Sequence, residues 1–255
     1  MSRTALAAQQ LRTPEERARS IDAALDRNMY SESGGITLWR GAQLARGGGR
    51  TIDTGYASLS TELPGGGWPL GALTEMMLQQ TGIGELRLLA PALAATKRPI
   101  TLVQPPQEPN APGLAYVGVP LENTLLLRPK TTADSLWSAE QILRAGTCGA
   151  LLFWQNHVKA EWLRRLQVVA KSSETLFVVF RPLAAAMDPS PAELRLSVRP
   201  TTDGVSVEVV KRKGPAAAQP IVVELHPSPV LLSRHARTRR PATVSRRSLA
   251  ETTSA

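Results

Sequence analysis

Apolar positions along this chain follow two rhythms. Short continuous runs fall at Leu73–Leu78, Ile100–Gln104, Thr124–Arg128, Ala150–Trp154 and Leu176–Arg181. Between them, over Glu85–Thr96, Ser135–Ala145 and Val158–Lys171, apolar residues recur every three to four positions with polar residues between. The first rhythm predicts strands buried on both faces, and the second predicts amphipathic helices. Their alternation predicts βαβ units and a mostly parallel sheet flanked by helices, an α/β fold. For the helix that starts near residue 135, Thr132 or Asp134 is the expected cap, and Gly146 lies just past its end.

The rhythm changes after Pro191. Leu194–Arg199, Val205–Val210 and Ile221–Leu225 are short β-rich runs, and Thr202-Asp203-Gly204 offers a tight turn between the first two. A late antiparallel meander is expected there. Upstream of the first strand, residues 47–71 are glycine-rich, with a turn at Asp53-Thr54-Gly55 and a short helix over Ala57–Leu63. Thr13-Pro14-Glu15-Glu16 reads as a helix start, with Pro in the first turn. Ala18, Ile21, Leu25 and Met29 then form one thin apolar stripe, and Ser31–Gly35 is a linker. From Pro227 the chain turns to Arg, Ser, Thr and Pro without periodicity, so disorder is expected after about Leu232. The organisation read from these shifts is an N-terminal helical segment over 1–33, a core over 34–226 and a basic disordered tail over 227–255.

Composition narrows the class. Hydrophobic residues make up 42% of the 255, enough for a sizeable core. No apolar run is long enough for a membrane span, and the N-terminus has no uninterrupted apolar stretch of the secretory kind. One cysteine, Cys148, excludes an internal disulfide framework and suits a cytoplasmic protein. It precedes an apolar run with no base near it in sequence, so a buried hydrophobe is expected rather than a reactive thiol. The net charge of +9 is unevenly spread: residues 226–255 carry six Arg and one Glu. Arg234, Arg237, Arg239, Arg240, Arg246 and Arg247 can hold nucleic acid non-specifically by counterion release, or contact an acidic partner. The tail has no aromatic residue, so base stacking gets no support.

The chemistry centres on Leu73–Leu89, LTEMMLQQTGIGELRLL. A strand-like run enters a loop holding Gly82 and Gly84, and a helix-like segment follows at once. A phosphate-binding loop has this layout. It also needs a Lys for the β/γ-phosphates and a Ser/Thr hydroxyl for Mg²⁺. Here no Lys or Arg lies between Leu73 and Arg87, and Glu85 stands near the Lys position, where it would repel a triphosphate. The glycines then serve only a tight strand–helix turn. No cofactor, no metal and no catalytic residue are expected, and the chain reads as a binding protein rather than an enzyme. His157 has no nucleophile or Asp placed with it by motif, and His226 and His235 make no metal pattern with the single Cys. Trp137 and Trp162, at helical spacing, are expected in the core.

Several landmarks resemble the RecA-like superfamily in order: IDTGYASLSTELPGGGWPLGALTE before the first core strand, and VEVVKRKGP at Val207–Pro215. LWRG at Leu38–Gly41, PGGGWPLGALTEMM, GIGELRLLAPAL, WSAEQILRAGTCGALLFW and FRPLAAAMDPSPAELRL are similar to the ImuA family, translesion-synthesis accessory proteins related to RecA and to the division inhibitor SulA. The resemblance implies a RecA-like fold and a non-catalytic role in SOS-induced mutagenesis in bacteria. The implied partners are an ImuB-like Y-family protein and an error-prone polymerase complex with a DNA polymerase III alpha-type subunit. RecA is a further candidate. It also implies where a catalytic Glu and a metal-binding acid would stand, and those positions read Pro105-Pro106 and Trp154-Gln155. By the same resemblance Lys211, Arg212 and Lys213 would reach the ATP site of an adjacent RecA. A solvated turn is the other reading of those three. A SulA-type inhibitor of the tubulin-like division protein is the alternative function.

Overall fold

A computed structural model describes residues 49–109, 111–214 and 219–225. The expected N-terminal helix over residues 13–29, the LWRG motif, the tail over 227–255, His226 and His235 lie outside the described residues.

One eight-stranded sheet organises the chain. Its strands are β3 (Ala72–Leu78), β4 (Ile100–Val103), β5 (Thr124–Leu127), β6 (Ala150–Trp154), β7 (Leu176–Pro182), β8 (Leu194–Pro200), β9 (Gly204–Lys211) and β10 (Ile221–Glu224), in spatial order β10-β9-β8-β3-β7-β6-β4-β5. Six of them, from β5 to β8 across the sheet, run parallel. β3, β4, β6 and β7 are buried nearly throughout because both faces carry helices. That is why they read as unbroken apolar runs rather than alternating ones. β5, expected to be buried like them, instead lies at the sheet edge with Leu125, Leu126 and Leu127 exposed. The meander is present: β8 pairs antiparallel with β9, and β9 with β10.

Among the described residues, five α-helices connect and cover the sheet: α1 (Ala57–Glu62), α2 (Glu85–Ala95), α3 (Ala111–Tyr116), α4 (Thr132–Ala145) and α5 (Ala160–Ala170). Leu88, Leu89, Ala92 and Leu93 of α2 pack with Met76, Leu102, Leu152 and Val178 on one face. Leu136, Ala139 and Leu143 of α4 and Leu163 and Leu166 of α5 pack with Leu73, Phe153 and Phe177 on the other. α4 is capped by Thr131, one residue before the expected Thr132: the Asp134 N–H donates to Thr131 Oγ1 at 3.1 Å. Gly146 closes that helix in the left-handed region at φ 63°.

Sequence rhythm missed three elements. β1 (Thr51–Asp53) and β2 (Gly67–Pro69) form a separate two-stranded antiparallel ribbon. Gly67 is required there because a Cβ would sit 2.3 Å from the Ile52 carbonyl oxygen. α3 contains Pro112 and Gly113, which hide a six-residue helix from periodicity. Trp137 corrects an expectation: it is 60% exposed, because the buried face of α4 runs through Leu136, Ala139, Glu140 and Leu143 and residue 137 lies beside it. Trp162 is half-buried, with the Arg165 guanidinium 5.2 Å from its ring centre.

Candidate functional site

In parallel α/β sheets, ligand sites form at the carboxyl ends of the strands, where loops diverge to opposite faces. Here β3, β6 and β7 end on a cleft of about 450 Å³, which Gln104, just after β4, also lines. The loop from β3 to α2 forms one wall. Gly82 and Gly84 take φ values of 84° and 120°, which only glycine adopts at little cost, so the backbone N–H groups turn inward. The Gly82 N–H donates to both oxygens of the Glu85 carboxylate, at 2.9 and 3.1 Å, and the Gly84 N–H donates to Oε2 at 3.2 Å. Glu85 is 5% exposed. The donors that could hold a phosphate at the start of α2 are therefore taken by the chain's own carboxylate. A negative charge in the first turn also suits the helix dipole.

The remaining walls lack phosphate chemistry as well. Gln104 occupies the left-handed region at φ 54°, the one described non-glycine residue to do so, and its side-chain amide donates to the Pro129 carbonyl. Pro105-Pro106 follows, where the RecA resemblance would put a catalytic Glu. Trp154 stacks on Phe180 with ring centres 4.5 Å apart, and Gln155 comes next, with no acid for a metal. The lining contains one cation, Arg181, and it is already paired: Nη1 lies 3.1 Å from Glu75 and Nη2 2.9 Å from Asp188. The side-chain amides of Gln79, Gln80, Gln155 and Asn156 make no hydrogen bond among the described residues. The cleft thus offers neutral donors and acceptors. Beside it, behind the Pro105-Pro106 ridge, lies a more apolar pocket of about 280 Å³ lined by Leu86, Leu102, Leu114, Val117 and Trp154.

Among the described residues, the predicted site residues do not converge. Gly82, Gly84 and Glu85 form the loop turn just described; Gly82 and Glu85 line the smaller apolar pocket, whereas Gln79, Gln80 and Thr81 of the same loop line the larger cleft. Lys211, Arg212 and Lys213 lie at and just past the end of β9, whose antiparallel course carries them away from the carboxyl edge. Lys211 Nζ donates to the Ser190 carbonyl at 2.9 Å, Arg212 bonds Glu62 at 3.0 Å, and Lys213 lies 2.6 Å from Glu193. Arg234, Arg237, Arg239, Arg240, Arg246 and Arg247 lie outside the described residues. His157 is exposed and borders another cleft with Lys159, Trp162, Arg181 and Asp188. Cys148 is buried, its thiol donates to the Ala150 carbonyl at 2.9 Å, and burial pushes it above its ordinary ionisation range, as expected of an unreactive thiol. Among the described residues no group of His, Cys, Asp and Glu could hold a metal ion, and no helix is long and apolar enough to cross a membrane.

Sequence reading missed one feature beside the cleft. Glu75, fully buried in the central strand, receives Arg181 and, at 2.6 Å, Arg195 Nε. Arg195 also donates to the Ala185 carbonyl at 2.8 Å. A lone Glu inside LTEMML was the available signal, since a charge in an otherwise buried strand demands a partner.

No family profile matches this chain, and no curated protein does. Among solved structures it is similar to SulA from Pseudomonas aeruginosa, at 23% identity over 42% of this chain and 97% of that one, with a TM-score of 0.36. At that score the superposition is too loose to carry the fold, which rests on the strand order and register.

Proposed function

We propose that this chain is a non-catalytic, RecA-like accessory protein of SOS-induced error-prone translesion synthesis. It acts as an adaptor for an ImuB-like Y-family protein and an error-prone polymerase complex, with RecA as a further partner. The motif resemblance to the ImuA family supports the pathway. One observation carries the non-catalytic part: the Glu85 carboxylate occupies the N–H groups of Gly82 and Gly84. Phosphoryl transfer depends almost wholly on positioning and on positive charge. A loop that holds its own anion, with its neighbouring cation already paired, supplies neither.

Two measurements test this. Calorimetry is expected to show no Mg-ATP binding tighter than about millimolar, because like charges in a partly desolvated site repel. Sub-millimolar binding, or hydrolysis above background, sinks the non-catalytic reading. Pull-down with an ImuB-like protein, RecA and the tubulin-like division protein as baits is expected to recover the first. Capture by the division protein alone would favour a SulA-type inhibitor. Lys211, Arg212 and Lys213 are the proposed contacts to RecA, and the tail arginines to DNA or to an acidic partner surface.

A further inference from the structure

The emptied cleft has an occupant close at hand in the same chain. β10 runs antiparallel to β9, and β9 antiparallel to β8, so β10 points the same way as the parallel strands. The chain therefore leaves the sheet at the carboxyl edge, where the cleft opens. Its position there is fixed by contact: a Cβ on Gly84 would stand 2.6 Å from Leu225 Cδ1, so the last described residue rests on the degenerate loop itself. The sequence that follows is His226-Pro-Ser-Pro-Val-Leu-Leu-Ser233, after which the arginines begin at Arg234. From Leu225 to Leu231 an extended chain covers about 20 Å. That is ample to cross the loop and reach the apolar pocket behind Pro105-Pro106, whose lining includes Gly82, Glu85 and Leu86.

The chemistry of the two halves matches. Residues 227–233 carry no charge, two prolines that stiffen an extended backbone, and three consecutive aliphatic side chains. The cleft offers Gln79, Gln80, Gln155 and Asn156, whose neutral amides can pair with peptide N–H and C=O groups without the desolvation cost of ions. The pocket beside it is lined mainly by aliphatic, proline and Trp154 side chains and suits an aliphatic anchor. Two further observations fall at the same place. The Trp154 indole N–H, in the wall shared by both cavities, is buried without an acceptor, and Gln104 at the rim holds a left-handed backbone.

We propose that Pro227–Ser233 docks across this cleft, with Leu231 or Leu232 in the apolar pocket and its backbone against the amide row. Covalent attachment at Leu225 makes the effective concentration high, so modest contacts suffice. The arginine-rich tail then starts from a fixed point at the carboxyl edge of the sheet. This inference rests on the proposed loss of nucleotide binding, because the site must be free for the segment.

The test is hydrogen–deuterium exchange on the full chain and on a full-length Leu231→Asp/Leu232→Asp variant. Wild type is expected to protect residues 228–233 at least tenfold over an unstructured peptide. The variant is expected to lose that protection and to exchange faster at residues 79–84 and 104–109, while β6 and β7 stay unchanged. A synthetic PSPVLLS peptide at millimolar concentration is expected to restore protection at 79–84 in the variant and to leave wild type unaffected. Unprotected exchange at 228–233 in wild type, identical exchange at 79–84 in both proteins, or equal response of both to the peptide would overturn the proposal. If β6 and β7 also exchange faster in the variant, the wild-type protection and the peptide arm on wild type alone decide it. Mg-ATP binding by wild type would sink the functional reading instead, whereas fast exchange at 228–233 in a chain without Mg-ATP affinity sinks only this one.

Discussion

Two carboxylates define this molecule at the residue scale, and each answers a different demand. Glu75 is fully buried in the central strand between Arg181 and Arg195, 3.1 and 2.6 Å from them. Both arginines are about as buried as it is, so its charge keeps two guanidinium groups out of water at tolerable cost. Glu75→Gln keeps the shape and removes that charge. Breaking one side of a buried ion pair costs about 3–5 kcal/mol, so the variant is expected to lose stability on that order in urea unfolding. A loss under about 1 kcal/mol would mean that Asp188 and the Ala185 carbonyl suffice for the arginines. Glu85 is the other carboxylate, and its role was half legible in sequence. GIGEL showed that a cation was missing. It could not show that the carboxylate folds back onto Gly82 and Gly84, because that depends on positive φ values fixed only when β3 and α2 are docked.

Elements are where the sequence was most readable, for a physical reason. β3, β4, β6 and β7 are buried on both faces, so their apolar runs end where burial ends, and the expected bounds match to within one residue. α2 and α5 begin and end within two residues of the positions that periodicity gives. Elements without a periodic face escaped: the three-residue β1 and β2, and α3 with its Pro and Gly. The cap of α4 escaped by one position because two threonines are adjacent and only geometry selects between them. Thr131 bonds the Asp134 N–H at 3.1 Å, and its hydroxyl reaches Asp134 Oδ2 at 2.7 Å. Thr131→Ala is therefore expected to destabilise the chain by about 1 kcal/mol, with Thr131→Ser close to wild type. Equal loss in both, read from urea midpoints, would show that the methyl group rather than the hydroxyl matters.

At the scale of the whole molecule, charge and chemistry are segregated. The carboxyl edge of the sheet, where a nucleotide enzyme would concentrate positive charge, carries amides and paired ions. More than half of the net charge of +9 lies instead beyond residue 225, where six arginines oppose one Glu. In sequence, a cleft of neutral amides is thus set apart from an arginine-rich arm. If the arm contacts DNA, affinity falls with salt by about 0.9 in log K per log salt for each phosphate neutralised. Replacing Arg234, Arg237, Arg239, Arg240, Arg246 and Arg247 with Gln in the full chain is expected to remove most of that slope and to leave the unfolding midpoint unchanged, since no apolar periodicity there contributes to a core. Fluorescence anisotropy with a labelled oligonucleotide over a salt series reads both affinity and slope. An unchanged slope would place the DNA contact on the core. Absence of DNA binding in wild type at low salt, with the arginines needed for capture by the ImuB-like bait, would assign the arm to an acidic protein surface instead.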